Sequence, residues 1–290
     1  MKITFLGTGA GEGYPGFWCN CPNCRYAREK GGKNIRGNTC TMIDHDVMID
    51  LNAHFYEAAL QHHIYPGDIR LALITHPHND HFNPHWLTQR IVPEGFESIF
   101  EQDFINHVSP NFTSLPMLHI YGNRFVEEVI NKEEKLVLQR ERCRFEYHPI
   151  NEGEDVHFED ITFTAVRSRH TNQYGFAHNY IITRNAKTIL YASDTGGYDD
   201  EMMDIILSRK YDCIIMEGTF GLGSGSASHM NLEKNRAIFD RFLKANVWKA
   251  EPLIYLTHIC PHWTPPHDIY APMMEKEGIH VAWDGLTIEI

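Results

Sequence analysis

The sequence predicts an α/β fold in which two sheets pack face to face with helices on the outside, and three observations carry that prediction. Short β-rich runs recur along the whole chain, each bounded by turn formers. Helical patterns, with apolar residues three and four apart, are fewer and interspersed among them. At 290 residues the chain is long enough for a large core, and its strands outnumber its helices too far for simple strand–helix alternation.

In chain order the expected strands are 2–6, 39–43, 47–49, 71–75, 118–121, 162–166, 179–183, 188–192, 213–216, 253–257 and 286–290. The expected helices are 53–63, 199–208 and 232–243, the last capped by Asn231 or Ser228. Residues 82–141 break the rhythm with Pro84, Pro93, Pro110 and Pro116, many aromatics and a charged run at 127–142. They read as an insertion in a single domain covering 1–290, either a lid or substrate wall or a surface excursion with its own small core. Trp86, Phe104, His107 and Phe112 within it read as packing residues rather than as a stacking set for a base or sugar.

Composition narrows the function. The chain carries 38 acidic against 26 basic side chains, a formal charge of −12, which disfavours a general nucleic-acid binder. The nearest basic segment, 132–144, is interrupted by Glu133, Glu134 and Glu141. Apolar runs of four to six residues are far short of a membrane span. The N-terminal run ends at Gly7, too soon for a secretory signal, so a cytoplasmic protein is expected.

Metal chemistry is the next indication. The chain has 19 His and seven Cys, and Cys19, Cys21 and Cys24 fall in a C-x-C-x2-C cluster that suits reduced, zinc-binding thiolates better than disulfides. His76-Pro77-His78-Asn79-Asp80-His81 follows the apolar strand 71–75 directly. A strand ending there releases the chain into a turn where ligand side chains can converge on a small volume, enough for two ions.

With this motif the chain resembles the metallo-β-lactamase superfamily, whose other signatures follow in order: Met48-Ile49-Asp50, His170, Ala192-Ser193-Asp194-Thr195 and Leu256-Thr257-His258. The resemblance implies an αββα four-layer sandwich. It implies that His76, His78 and His170 hold one divalent metal, that Asp80, His81 and His258 hold a second, and that Asp194 bridges them. Zn2+ and Mn2+ both suit such ligands. Asp50 would orient a ligand or bound water. The chain departs from the family after it, with Asp50-Leu51-Asn52 in place of Asp-x-Gly.

Phe5-Leu6-Gly7-Thr8-Gly9 together with Cys19-Asn20-Cys21-Pro22-Asn23-Cys24 is similar to the cyclic-phosphate phosphodiesterases of the carbon–phosphorus lyase pathway. That branch implies a structural Zn2+ on Cys19, Cys21, Cys24 and a His, here His262, with Cys260 and Cys40 as alternatives. His229 resembles its general acid, with His178 as a rival that reads better as a packing residue at a strand entry. The expected function is a binuclear hydrolase in which a hydroxide between the ions attacks a small cyclic or activated phosphodiester, with Asp80 and His229 as catalytic residues. A thioester or lactone hydrolase is the alternative. So is a non-catalytic carrier, like the β-lactamase-fold protein of the pyrroloquinoline quinone pathway. A small-molecule substrate, no nucleic acid, no membrane and a homodimer are the expected partner set.

Overall fold

The computed structural model describes residues 1–91, 115–170 and 176–290. Phe104, His107 and Phe112 lie outside the described residues. The first sheet contains β1 (Lys2–Gly7), β2 (Cys40–Ile43), β3 (Val47–Ile49), β4 (Leu71–Leu73), β5 (Leu118–Gly122), β6 (Phe145–Pro149) and β14 (Thr287–Glu289), in the order β14-β1-β2-β3-β4-β5-β6. The second contains β7 (Asp155–Phe158), β8 (Ile161–Arg167), β9 (His178–Arg184), β10 (Lys187–Ala192), β11 (Cys213–Glu217), β12 (Ile254–Thr257) and β13 (His280–Val281), in the order β13-β12-β11-β10-β9-β8-β7.

Strand alternation builds the layers. In β3 and β4, Val47, Ile49, Leu71 and Leu73 enter the seam between the sheets, while Met48 and Ala72 face the opposite side. In β11, Cys213 and Ile215 enter the same seam while Ile214 and Met216 face outward. Both faces of these strands are buried, so they read as continuous apolar runs. Helices α1 (Pro22–Lys30), α2 (Phe55–Gln61), α3 (His85–Thr88), α4 (Arg124–Ile130), α5 (Glu134–Gln139), α6 (Asp200–Leu207), α7 (Leu232–Lys244) and α8 (His267–Glu275) supply the outer layers. Met202, Met203 and Ile206 of α6 and Phe239 and Phe242 of α7 close the outer seam of the second sheet, and Phe55, Ala59 and Val126 close that of the first. Three apolar seams between four layers make the expected αββα sandwich.

Local chemistry sets the helix starts. The Asp199 side chain accepts from Met202 N at 2.9 Å, and the Asn231 side chain accepts from Lys234 N at 3.0 Å. Asn231, rather than Ser228, is therefore the cap of α7. Strands β6, β7 and β13 and helices α1, α3, α4, α5 and α8 were not expected from the sequence. Within the expected insertion, residues 118–141 form β5, α4 and α5, and β5 pairs in parallel with β4, so this part is framework rather than excursion. Trp86 packs as expected, stacking on Tyr56 at 5.8 Å and donating to Asn52 O at 2.8 Å.

At the end of β9 the Arg184 guanidinium ties the sheets together. It reaches Asp46 in the β2–β3 turn at 2.6 and 2.9 Å and Asp160 in the β7–β8 turn at 2.8 and 3.0 Å. Burial alone would raise the Asp46 carboxyl, but Arg184 outweighs it and holds it below its ordinary value. The Arg184 hydrogen bond likewise lowers Asp160. Removing such charge-assisted bonds from a buried carboxylate such as Asp46 costs about 2 kcal/mol, so Arg184→Met is expected to unfold earlier in urea by that amount at neutral pH. A depressed folded pKa gives stability that is present above the unfolded value of about 3.9 and is lost as pH falls through the folded value. The gap between wild type and variant should accordingly close below about pH 4.

Candidate metal centre

The site is assembled at one end of the sandwich from residues just beyond strand C-termini. Asp50 follows β3, His76 follows β4, His170 follows β8, Asp194 follows β10 and His258 follows β12. Asp50, Asp194 and His258 adopt left-handed backbone conformations, with φ of 65°, 49° and 55°. Such conformations in non-glycine residues cluster where the chain is bent to aim a functional side chain.

The structure brings His76, His78, His170 and Asp194 together, with one ligand atom from each within 4.8 Å of the others, and does the same for Asp80, His81, Asp194 and His258. These are the two sets that the resemblance implies. Asp194 belongs to both. Its Oδ1 lies 2.8 Å from His258 Nε2, and its Oδ2 lies 3.5 Å from His76 Nε2, 3.3 Å from His81 Nε2 and 3.6 Å from His170 Nε2. Asp80 Oδ2 is 3.4 Å from His81 Nε2 and 3.7 Å from His258 Nε2.

Four of the five rings are fixed from behind. His81 Nδ1 donates to Asp50 at 2.7 Å, and His170 Nδ1 donates to Ser228 O at 3.1 Å. Thr75 Oγ1 donates to Asp50 and lies 3.1 Å from His76 Nδ1. Thr219 Oγ1 donates to Glu217 and lies 2.8 Å from His258 Nδ1. With the Nδ1 protons committed in this way, the Nε2 lone pairs face the Asp194 carboxylate. Acceptors crowd on acceptors, an arrangement that cations or extra protons must neutralise, and the donor set fits two divalent ions. Without them, burial would lower His258, but Asp194 outweighs it and takes the ring up to about 10, while burial and the charge of His81 push His76 down.

Asp50 thus holds His81 and anchors Thr75, whose backbone N–H it accepts at 2.8 Å. Asn52, standing where the family has glycine, spends its side-chain amide on Asn38 O and Thr39 O, both at 2.9 Å. Asp50→Asn keeps the shape and tolerates the left-handed backbone, but loses the carboxylate behind His81. It is expected to weaken binding of one metal by about 10–100-fold, read by titration against a chelator.

His229 stands beside the two sets, its ring 4.8 Å from that of His170 and 5.7 Å from that of His258. Its Nδ1 lies 2.8 Å from the Glu217 carboxylate. Burial alone would lower His229, and Glu217 outweighs it and raises it. Glu217 is fully buried and also accepts from Thr195 N at 3.0 Å and Met230 N at 2.8 Å. Sequence reasoning missed Glu217, which reads as the polar end of an apolar strand. His178 is not a rival, because it is buried at the start of β9 with Nε2 on Glu152 at 3.2 Å.

Cys19, Cys21 and Cys24 come within 4.8 Å of one another across the loop into α1 and its first turn, where Arg28 holds Cys19 O at 2.7 Å and Gly16 O at 2.9 Å. Burial pushes the Cys24 thiol up to about 12, the situation a bound cation relieves. The expected fourth donor, His262, clusters with Glu12 and Cys260, its Nδ1 3.7 Å from Cys260 Sγ and 3.9 Å from Glu12 Oε1. Cys260 shares that second cluster, and Cys40 is buried in the core against Met48.

Ala10, Asp80, His170, Asp194, His229 and His258 face a common cavity of about 410 Å³. Among the described residues, no helix is long and apolar enough to cross a membrane. A structural comparison places the whole chain on several solved folds. A diphosphatase of the PhnP family is 21% identical, with a TM-score of 0.70 and coverage of 100% of this chain and 97% of the other. Zn2+-bound PqqB from Methylobacterium extorquens is 16% identical at TM-score 0.68, with both chains fully covered. The short form of human tRNase Z is 18% identical at 0.62, covering 100% and 99%. These likenesses are of fold. No curated protein matches the chain by sequence. The family model for the β-lactamase superfamily domain matches residues 45–259, well over half of the chain and all of the His and Asp ligands described above, so the protein belongs to the metallo-β-lactamase superfamily of metal-dependent hydrolases.

Proposed function

We propose that the protein is a binuclear metal-dependent phosphodiesterase acting on a small cyclic or otherwise activated phosphodiester. The observation that carries this reading is the pair of four-ligand sets sharing Asp194, facing the same cavity as a His229 that a buried carboxylate holds in place. Two divalent ions, Zn2+ or Mn2+, would supply Lewis acidity at the phosphoryl oxygens and a water whose pKa falls toward about 7. The remaining work belongs to the chain. Asp80 is the more solvent-reachable carboxylate of the two ligand sets, at 20% exposure against 2% for Asp194, and would orient attacking water in the cavity. His229 donates through Nδ1 to Glu217, which leaves Nε2 to hand a proton to the departing oxygen. Ser228 O, accepting from His170, ties the loop carrying His229 to the ligand set.

The cavity suits a small molecule, and a charge of −12 argues against holding a polynucleotide backbone. A third, structural Zn2+ on Cys19, Cys21 and Cys24 would fasten the loop before α1. The fold neighbours include a diphosphatase and a tRNase Z. The test is a panel of cyclic phosphodiesters, bis-p-nitrophenyl phosphate, thioesters and lactones offered to metal-loaded protein. Turnover confined to the phosphodiesters is expected, and turnover confined to the acyl compounds would replace this reading with the acyl-hydrolase one.

A further inference from the structure

A further group of ligand side chains stands away from the metal centre, on β5 and β6. His119 is registered opposite Glu146, and Tyr121 opposite His148, so all four side chains share one face of the sheet. His119 Nδ1 lies 3.0 Å from His148 Nε2, and Glu146 Oε2 lies 3.7 Å from the first nitrogen and 3.8 Å from the second. The circle through these three atoms has a radius of about 2.1 Å, the length of a bond from Zn2+ to imidazole nitrogen or carboxylate oxygen. A single ion therefore fits all three donors without movement of the backbone.

The surroundings are consistent with such an ion. The two rings now share a proton in an N–H···N contact, and the broad χ2 of histidine lets both lone pairs turn onto the common point. Tyr121 stacks on His148 at 4.6 Å and Phe158 of the second sheet packs on His119 at 5.0 Å, walling one side. The other side is open to solvent, with His119 at 26% and Glu146 at 55% exposure. His119 pairs with Leu71, five residues before His76, which puts the group about 16 Å from the catalytic ligands at the rise of a strand.

We propose that His119, Glu146 and His148 bind a divalent transition-metal ion of the Zn2+ or Ni2+ class, separate from the catalytic and thiolate positions. Two imidazoles and a carboxylate leave a further position for water. Since β6 is the edge strand of its sheet, the ion clasps that strand to β5 and blunts the edge. Binding to the folded form alone raises stability by mass action.

The test uses zinc-loaded whole protein, with His148→Gln and Glu146→Gln as variants and the nickel ion as a second probe. Native mass spectrometry is expected to count one ion fewer in His148→Gln. Nickel titration of the zinc-loaded protein should show at least about a tenfold loss of affinity in both variants. Hydrolysis of bis-p-nitrophenyl phosphate should be unchanged, so the result stands apart from the catalytic reading. Glu146 is exposed enough that Glu146→Gln will fold even if the histidine variant does not. Equal ion counts and equal nickel affinities in wild type and Glu146→Gln would overturn the proposal.

Discussion

Asp194→Asn is expected to remove both catalytic metal positions at once and to lower phosphodiester turnover by at least about a thousandfold. One carboxylate serves both ligand sets, its two oxygens lying between 2.8 and 3.6 Å from the Nε2 atoms of His258, His76, His81 and His170. An amide presents one acceptor and one donor, and it loses the negative charge that balances the cations. Asparagine tolerates the left-handed backbone of this position, so the fold should persist. Metal-ion stabilisation of a transition state is worth several kcal/mol, and each 1.36 kcal/mol is a factor of ten. Elemental analysis should find the catalytic pair missing and the thiolate ion retained. Retention of both ions in a folded Asp194→Asn protein would contradict the bridging role.

His229→Ala should show a loss that depends on the leaving group. If His229 protonates the departing oxygen, an alkyl leaving group should lose about 10²–10⁴ in kcat. A p-nitrophenolate, which departs without a proton, should be nearly unaffected. A merely structural role would lower both substrates together. The geometry favours the first pattern, because Glu217 is buried and spends its oxygens on His229, Thr219 and two backbone donors, fixing the imidazole without reaching the cavity itself.

The parts of this protein legible in its sequence are those whose cause is local. Strands such as β3, β4 and β11 have both faces buried, so uninterrupted apolar residues announce them. The ligands from His76 to His81 sit in one turn and stand out for the same reason. Strands β6 and β7 were missed because half-exposed positions such as Glu146, Asp155 and His157 break the apolar pattern. Helix α8 was missed because Pro272 lies inside it. Glu217 acquires its role only through contacts with residues two, twelve and twenty-two positions away, which no local pattern encodes. The grouping of His262 with Glu12 and Cys260 likewise depends on how the loop after His258 folds rather than on which residues it contains.

The central claim is that the His and Asp ligands at the strand ends form a two-metal site that hydrolyses phosphodiesters. The most direct measurement is hydrolysis of a ribose cyclic phosphate by metal-loaded protein in oxygen-18 water, followed by phosphorus NMR. The account predicts ring opening with one heavy oxygen bound to phosphorus, abolished by chelation and by Asp194→Asn. A protein shown to hold both catalytic ions that leaves the phosphorus resonance of cyclic and linear diesters alike unchanged would contradict it.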